Sequence, residues 1–293
     1  MRMSFGQSRY ADINELLNRR FAEKQVLICA HRGSWHGNVI QNTTLAYKAA
    51  VMQGADIVET DTTVSSDGVV FSIHDGVEPR LFGWNRNSLH MDSGTIEGFY
   101  PLNALGEPST HRVQPLEEVL RCLCHDELLN IDRSWRAGGQ VLRLLDKYPY
   151  MQRQAILKAP LDQKKVLEQL AGHPVRYMFM PICYTLEDVE AALQYRDLNT
   201  VGVELIAFTD RDELYSDEAI RYIHGKGLFC WVNSLTLTDV EPRKALYGDL
   251  DDDISILEGP ERGWGRLMDK GIDVIQTDWP DLVEKYRLRK LGK

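Results

Sequence analysis

Residues 56–74 read Asp-Ile-Val-Glu-Thr-Asp-Thr-Thr-Val-Ser-Ser-Asp-Gly-Val-Val-Phe-Ser-Ile-His. Both ends of this stretch are rich in β-branched residues, and the Asp67-Gly68 pair between them is a hairpin signal. The connection is far too short for a helical crossover. Residues 69–74 are therefore expected to fold back antiparallel on the end of a strand at 56–61. A four-residue loop at 65–68 pairs Glu59 with His74, and a two-residue loop pairs Asp61 with His74. Either register brings an imidazole against two carboxylates, because alternation puts Glu59 and Asp61 on one face of their strand.

Outward from that stretch, short β-rich runs alternate with helical patterns. Strands are expected at 26–30, 56–61, 69–74, 128–132, 155–158, 176–181, 201–206, 228–232 and 273–277, with helices at 43–53, 116–124, 161–171, 186–194 and 216–226. Repeated strand–helix alternation predicts a parallel sheet, open or closed. Nine strands are one too many for a (β/α)8 barrel, and the hairpin accounts for the surplus. The expected fold is α/β: a TIM (β/α)8 barrel with a β-hairpin extension after its second strand. One domain over 1–293 includes a helix at 13–22 ahead of the barrel and an irregular rim insertion at 76–114, rich in Gly, Pro, Asn and Ser. The acidic run 249–253 is expected to be a solvated loop.

Formal net charge is −9, and no stretch gathers Lys and Arg into a basic stripe. That balance speaks against nucleic acid and against an anionic membrane surface as partners. The five cysteines (29, 122, 124, 183 and 230) are odd in number and scattered, unlike a disulfide framework. The N-terminal residues lack the apolar core of a signal peptide, and no apolar run has membrane-spanning length. A cytoplasmic protein with reduced, buried thiols is expected.

Several pieces then fall in one order along the chain. They are His31-Arg32-Gly33 after a strand, Asn42-Thr43 leading a helix, Glu59-Thr60-Asp61, Asp67-Gly68, and His74-Asp75. Next come Pro115-Leu116-Glu117-Glu118, Asn130-Ile131-Asp132, Trp231-Val232-Asn233, Gly271-Ile272-Asp273 and Thr277-Asp278-Trp279-Pro280. The ordered series resembles the glycerophosphodiester phosphodiesterase family and spans nearly the whole chain. The resemblance implies a phosphoric diester hydrolase that releases a phosphomonoester and an alcohol from a small-molecule substrate. It implies a divalent metal, Mg2+ or Ca2+, on carboxylates, and His31 and His74 as general acid and base. Water and a hydroxyl of the substrate both stay open as nucleophile.

The residue types suit that chemistry. A phosphodiester repels nucleophiles until its charge is neutralised, and a hard cation on oxygen ligands does this. Glu59 and Asp61 supply two such ligands, and Asp132 at the next barrel strand supplies a third. Arg32 offers a planar fork to a non-bridging oxygen. The family pattern has Glu at the Asp132 position and Lys two residues on, where this chain has Ser134. Lys158, ending the following strand, is expected to supply the missing cation; adjacent Arg133 points to the opposite face if its strand persists. Gln41 stands where the pattern has Glu. Trp231 and Trp279 are expected to meet the substrate's other half with flat faces suited to sugar rings or choline-like cations. Two alternatives share the site: a phosphodiester transferase, synthase or phospholipase D-like enzyme, and a barrel that binds phosphodiesters without turnover.

Overall fold

The computed structural model describes residues 4–237 and 244–292. Its barrel strands are β1 (Leu27–Ala30), β2 (Ile57–Asp61), β3 (Leu128–Asp132) and β4 (Ala155–Pro160), followed by β5 (Met178–Cys183), β6 (Gly202–Leu205), β7 (Phe229–Asn233) and β8 (Val274–Thr277). Each pairs in parallel with its sequence neighbour, and β8 returns to β1 with Leu27 opposite Val274. The ring closes, which is the expected TIM barrel.

Period-two alternation divides each strand between two environments. Outward residues such as Val58, Leu129, Ile131 and Leu157 pack under the helices. Inward residues change character along the barrel. Leu27, Ile57, Leu128, Ile156, Trp231 and Val274 form an apolar plug at the N-terminal end. Further along the same inward faces come Glu59 and Asp61, Asn130 and Asp132, Lys158, Glu204, Asn233 and Gln276, most of them buried. Polarity thus rises toward the C-terminal mouth. The helix at Ala11–Lys24, longer than expected, closes the opposite end with Leu16, Leu17 and Phe21. At β6, Gly202 is obligatory, because a Cβ there would lie 2.2 Å from the Phe229 ring.

The hairpin differs from its expected form. Its ladder pairs Thr63 with Phe71 and Val64 with Val70, so it is two rungs long and lies beyond Asp61. Strand β2 is already flanked on both sides, by β1 and by β3 up to the Asp61–Asp132 pair. No free edge remains for an antiparallel partner until the chain leaves the barrel. His74 is consequently not laddered against Glu59 or Asp61, and reaches the mouth from the end of the hairpin. The rim insertion contains short helices at Glu78–Phe82 and Ser93–Glu97 over a small core of Ile73, Leu81, Phe82, Met91, Ile96 and Val113. Buried Glu78 ties its start, accepting from the backbone of Gly76 at 2.6 Å and Ser88 at 2.7 Å.

The last helix, Pro280–Leu291, is pinned to the barrel by a buried charge. Arg287 donates to the Val26 carbonyl at 2.6 Å and pairs with Asp56, which accepts from the Ile28 backbone at 2.9 Å. Arg287→Ala strands the buried Asp56 carboxylate and is expected to cost about 3–5 kcal/mol of stability. Urea unfolding checks this, and an unchanged midpoint would remove the pair from the barrel's closure.

Candidate active site

The first βα turn carries His31, Arg32 and Gly33. Arg32 is left-handed at φ 57°, and Gly33 follows at φ 78°. A Cβ on Gly33 would meet the Ala46 backbone at 2.7 Å, so only glycine lets the helix Thr44–Met52 pack against this turn. The turn aims the Arg32 backbone N–H at Glu59 Oε2, 2.8 Å away. The Arg32 guanidinium lies 2.8 Å from Asp61 Oδ2 and donates to Gln41 Oε1 at 2.8 Å. Asn42, also left-handed, donates to Asp61 Oδ2 and accepts from the Asp61 backbone, both at 3.0 Å.

Glu59, Asp61 and Asp132 bring one carboxylate oxygen each within 4.8 Å of one another. Glu59 Oε1 is buried with no hydrogen-bond partner. Burial pushes the Glu59 carboxyl well above its usual range, and Asp61 and Asp132 push the same way. Burial acts on Asp61 too, yet Arg32, His74, His31 and Asn42 together hold it at about 2. A cluster of hard oxygen donors with one orphaned atom fits a divalent cation of the Mg2+ or Ca2+ kind.

Lys158 reaches the same space, with its ammonium 3.1 Å from Asp132 Oδ2 and 3.2 Å from Glu204 Oε2. Burial lowers its proton affinity, but Asp132, Glu204 and Glu59 more than restore it, so the group is a fixed cation. Glu204 accepts in turn from Asn233 Nδ2 at 2.6 Å, and Asn233 Oδ1 accepts from Trp231 Nε1 at 3.2 Å. Trp231 is therefore not a substrate contact. Its side chain is fully buried in the barrel plug, and its role is to pack and to orient Asn233.

Each histidine has one ring nitrogen engaged. His31 Nδ1 lies 2.8 Å from Asp278 Oδ1. Asp278 is placed by Asp252, which accepts from the Asp278 backbone at 2.9 Å, from Thr277 Oγ1 at 2.8 Å and from Trp264 Nε1 at 2.7 Å. Burial and the Asp278 charge push the Asp252 carboxyl up to about 7. Asp252 belongs to the acidic run expected to be solvated, and it is buried instead. His74 Nδ1 lies 2.7 Å from the Asp75 carbonyl oxygen, which only accepts, so Nδ1 carries the hydrogen. Burial lowers His74 below the usual imidazole value; Asp61 opposes this, while Arg32 and Arg133 reinforce it.

Arg133 departs from expectation. The strand stops at Asp132, and Arg133 takes a left-handed conformation with φ 56°. Its side chain turns back to the mouth, with NH1 2.6 Å from Asp75 and Nε 3.9 Å from Asp61. Trp279 lies at the rim beside Asp278, its ring stacked on His36 at 5.3 Å, and Trp35 stacks on the same His36 at 6.4 Å. Asp278, Asp252, Glu204 and Asn42 complete the site and were not singled out as site residues from sequence. Glu204 carried a readable signal, since a charge inside a strand flanked by Val203 and Leu205 needs a buried partner.

A model of the glycerophosphoryl diester phosphodiesterase family matches residues 31–189, and a model of a domain of unknown function matches 179–287. A glycerophosphodiester phosphodiesterase from Bacillus altitudinis is 23% identical over 263 residues, covering 89% of this chain and 97% of that protein. One from Bacillus subtilis is 23% identical over 291 residues, covering 90% and 87%. The crystal structure of a glycerophosphoryl diester phosphodiesterase from Parabacteroides distasonis shares the fold with a TM-score of 0.75 at 17% identity, covering 99% of this chain and 95% of that one. A phosphodiesterase from Oleispira antarctica, solved with the product sn-glycerol-3-phosphate, has a TM-score of 0.64 at 13% identity, covering 88% and 95%. The first family match takes in more than half of the chain, from His31 through β5, and with it the carboxylates and both histidines. On that match the chain belongs to the glycerophosphoryl diester phosphodiesterase family and is a hydrolase of phosphoric diesters.

Proposed function

We propose that the chain hydrolyses a glycerophosphodiester, or a related sugar phosphodiester, to a phosphomonoester and an alcohol. One observation carries the reading. Two imidazoles, each with Nδ1 engaged, bear on Asp61 beside a three-carboxylate cluster whose Glu59 Oε1 has no partner. Glu59, Asp61 and Asp132 would hold a divalent cation. When bound, that cation neutralises the phosphodiester charge and polarises the phosphoryl group. Arg32 binds a non-bridging oxygen through its guanidinium fork. His74, depressed by burial and by Arg32 and Arg133, is neutral at physiological pH and suits the base, with Nε2 free to take the proton of the attacking hydroxyl. His31, with a carboxylate behind Nδ1, suits the acid that delivers a proton to the leaving oxygen. Water and a hydroxyl of the substrate are both served by this arrangement. Trp279, 38% exposed and stacked on His36, offers a flat surface for the alcohol portion. Lys158, expected from sequence to bind phosphate, is better read as the counter-ion that lets Asp132 and Glu204 share the barrel.

Transferase and binding-only roles have no observation that favours them over hydrolysis. Of the rim insertion's apolar residues, Leu81 and Phe82 turn into its own core, whereas Trp84, Tyr100 and Leu105 stay exposed. Among the described residues no helix is long and apolar enough to cross a membrane.

Chelation should abolish release of phosphomonoester from glycerophosphocholine, and Mg2+, Mn2+ or Ca2+ should restore it; turnover without metal would sink the scheme. Because Glu59 must give up a proton to become a ligand, apparent metal affinity should rise with pH. His31→Ala and His74→Ala should each cost about 10²–10⁴-fold in kcat with unfolding midpoints unchanged. Asp278→Asn should lower kcat by about 10²-fold with little change in KM and an altered pH profile, since it acts through His31. Lys158→Met should leave Asp132 and Glu204 unbalanced and lower stability by about 3–5 kcal/mol, read by urea unfolding. A loss confined to KM would instead return Lys158 to the substrate.

A further inference from the structure

Two arginines beyond the reacting centre share a single carboxylate. Arg133 NH1 lies 2.6 Å from Asp75 Oδ1, and Arg136 NH1 pairs with Asp75 Oδ2. Asp75 is nearly buried, whereas the arginine side chains are 22% and 40% exposed. Two guanidiniums on one carboxylate leave one positive charge and many unused N–H donors, five being available on each group. Arg133 also approaches Asp61 at 3.9 Å, but Asp61 is already paired with Arg32 and Asn42. The excess charge is built in at a cost in backbone strain, because Arg133 holds φ 56° with a full side chain. Its own N–H is fixed on Asp132 Oδ1 at 2.6 Å, which locks the turn that aims the guanidinium.

The place of this charge is specific. Asp75 follows His74, and its carbonyl holds the His74 ring. The pair of arginines stands at the end of β3, in a different sector of the rim from Trp279 and Asp278 at the end of β8. A substrate seated between His31 and His74 therefore meets an aromatic surface in one direction and a surplus cation in the other. We propose that Arg133 and Arg136 form a subsite for a second anionic oxygen group, a carboxylate or a phosphate, carried on one arm of the phosphodiester. This deepens the hydrolase reading and rests on it for the position of the reacting phosphate. Guanidinium forks match the planar or tetrahedral oxygens of such groups, and Asp75 gathers the two side chains at one place.

Matched diesters test the subsite with the full-length, Mg2+-loaded protein. Glycerophosphoserine differs from glycerophosphoethanolamine by one carboxylate, and a phosphorylated glycerophosphoinositol differs from glycerophosphoinositol by one phosphate. In at least one pair the anion-bearing member should be preferred by about tenfold in kcat/KM, through KM, the scale of one charge-assisted hydrogen bond. Arg136→Gln should bring that ratio to about one, and Arg136→Lys should recover part of it. The proposal is overturned if neither pair shows a preference, or if Arg136→Gln lowers both members of a pair equally, which would put the arginines on the reacting phosphate. Calorimetric binding of the same four compounds separates the two readings. A preference in Kd that Arg136→Gln abolishes, without any cleavage, would keep the subsite and remove the hydrolase reading; no preference in Kd removes the subsite.

Discussion

Lys158 stands 3.1 Å from Asp132 and 3.2 Å from Glu204, with 3% of its side chain open to solvent. Around it the mouth gathers Glu59, Asp61, Asp132 and Glu204, four acids in the space of a few side chains. Like charges about 4 Å apart repel by about 4 kcal/mol at an effective dielectric near 20, so such a group cannot persist unbalanced. Lys158 balances from within the barrel and Arg32 from its lip, while burial together with the Asp61 and Asp132 charges pushes the Glu59 carboxyl well above its usual range. The carboxylate cluster and the Trp231 plug are thus joined through one electrostatic arrangement. Asp132 faces the first, while Glu204, through Asn233 and Trp231, leans on the second.

Backbone strain follows the same geography. Of the four non-glycine residues with positive φ among those described, Arg32, Asn42 and Arg133 lie at this mouth. Each such residue costs about 1–3 kcal/mol and survives only where surrounding contacts fix it. Here those contacts are the carboxylates themselves. Glu59 takes the Arg32 N–H, Asp61 takes Asn42, and Asp132 takes the Arg133 N–H. The acids therefore shape the loops that in turn carry the cationic side chains.

The sequence was readable wherever periodicity and strand ends sufficed. Strand–helix alternation led to the parallel sheet, the strand count and the family resemblance to its closure, and alternation along β2 put Glu59 and Asp61 on one face. The hairpin register was not readable, because it depends on β2 having neighbours on both sides, which only the closed ring determines. Arg133 points away from the site only if its strand continues; the strand stops at Asp132, and one left-handed residue turns the side chain to the mouth. Trp231, expected to meet the substrate, lies two residues before Asn233 on the same inward face and so falls within the plug. Partners such as Asp252 and Asp278 come together across loops whose paths no local pattern encodes.

Asp252 also joins two things that chain order keeps apart. It follows β7 in the chain, yet through Thr277 and the Asp278 backbone it holds the carboxylate that meets the imidazole in the turn after β1. A change at Asp252 would therefore be felt at the His31 ring without touching it.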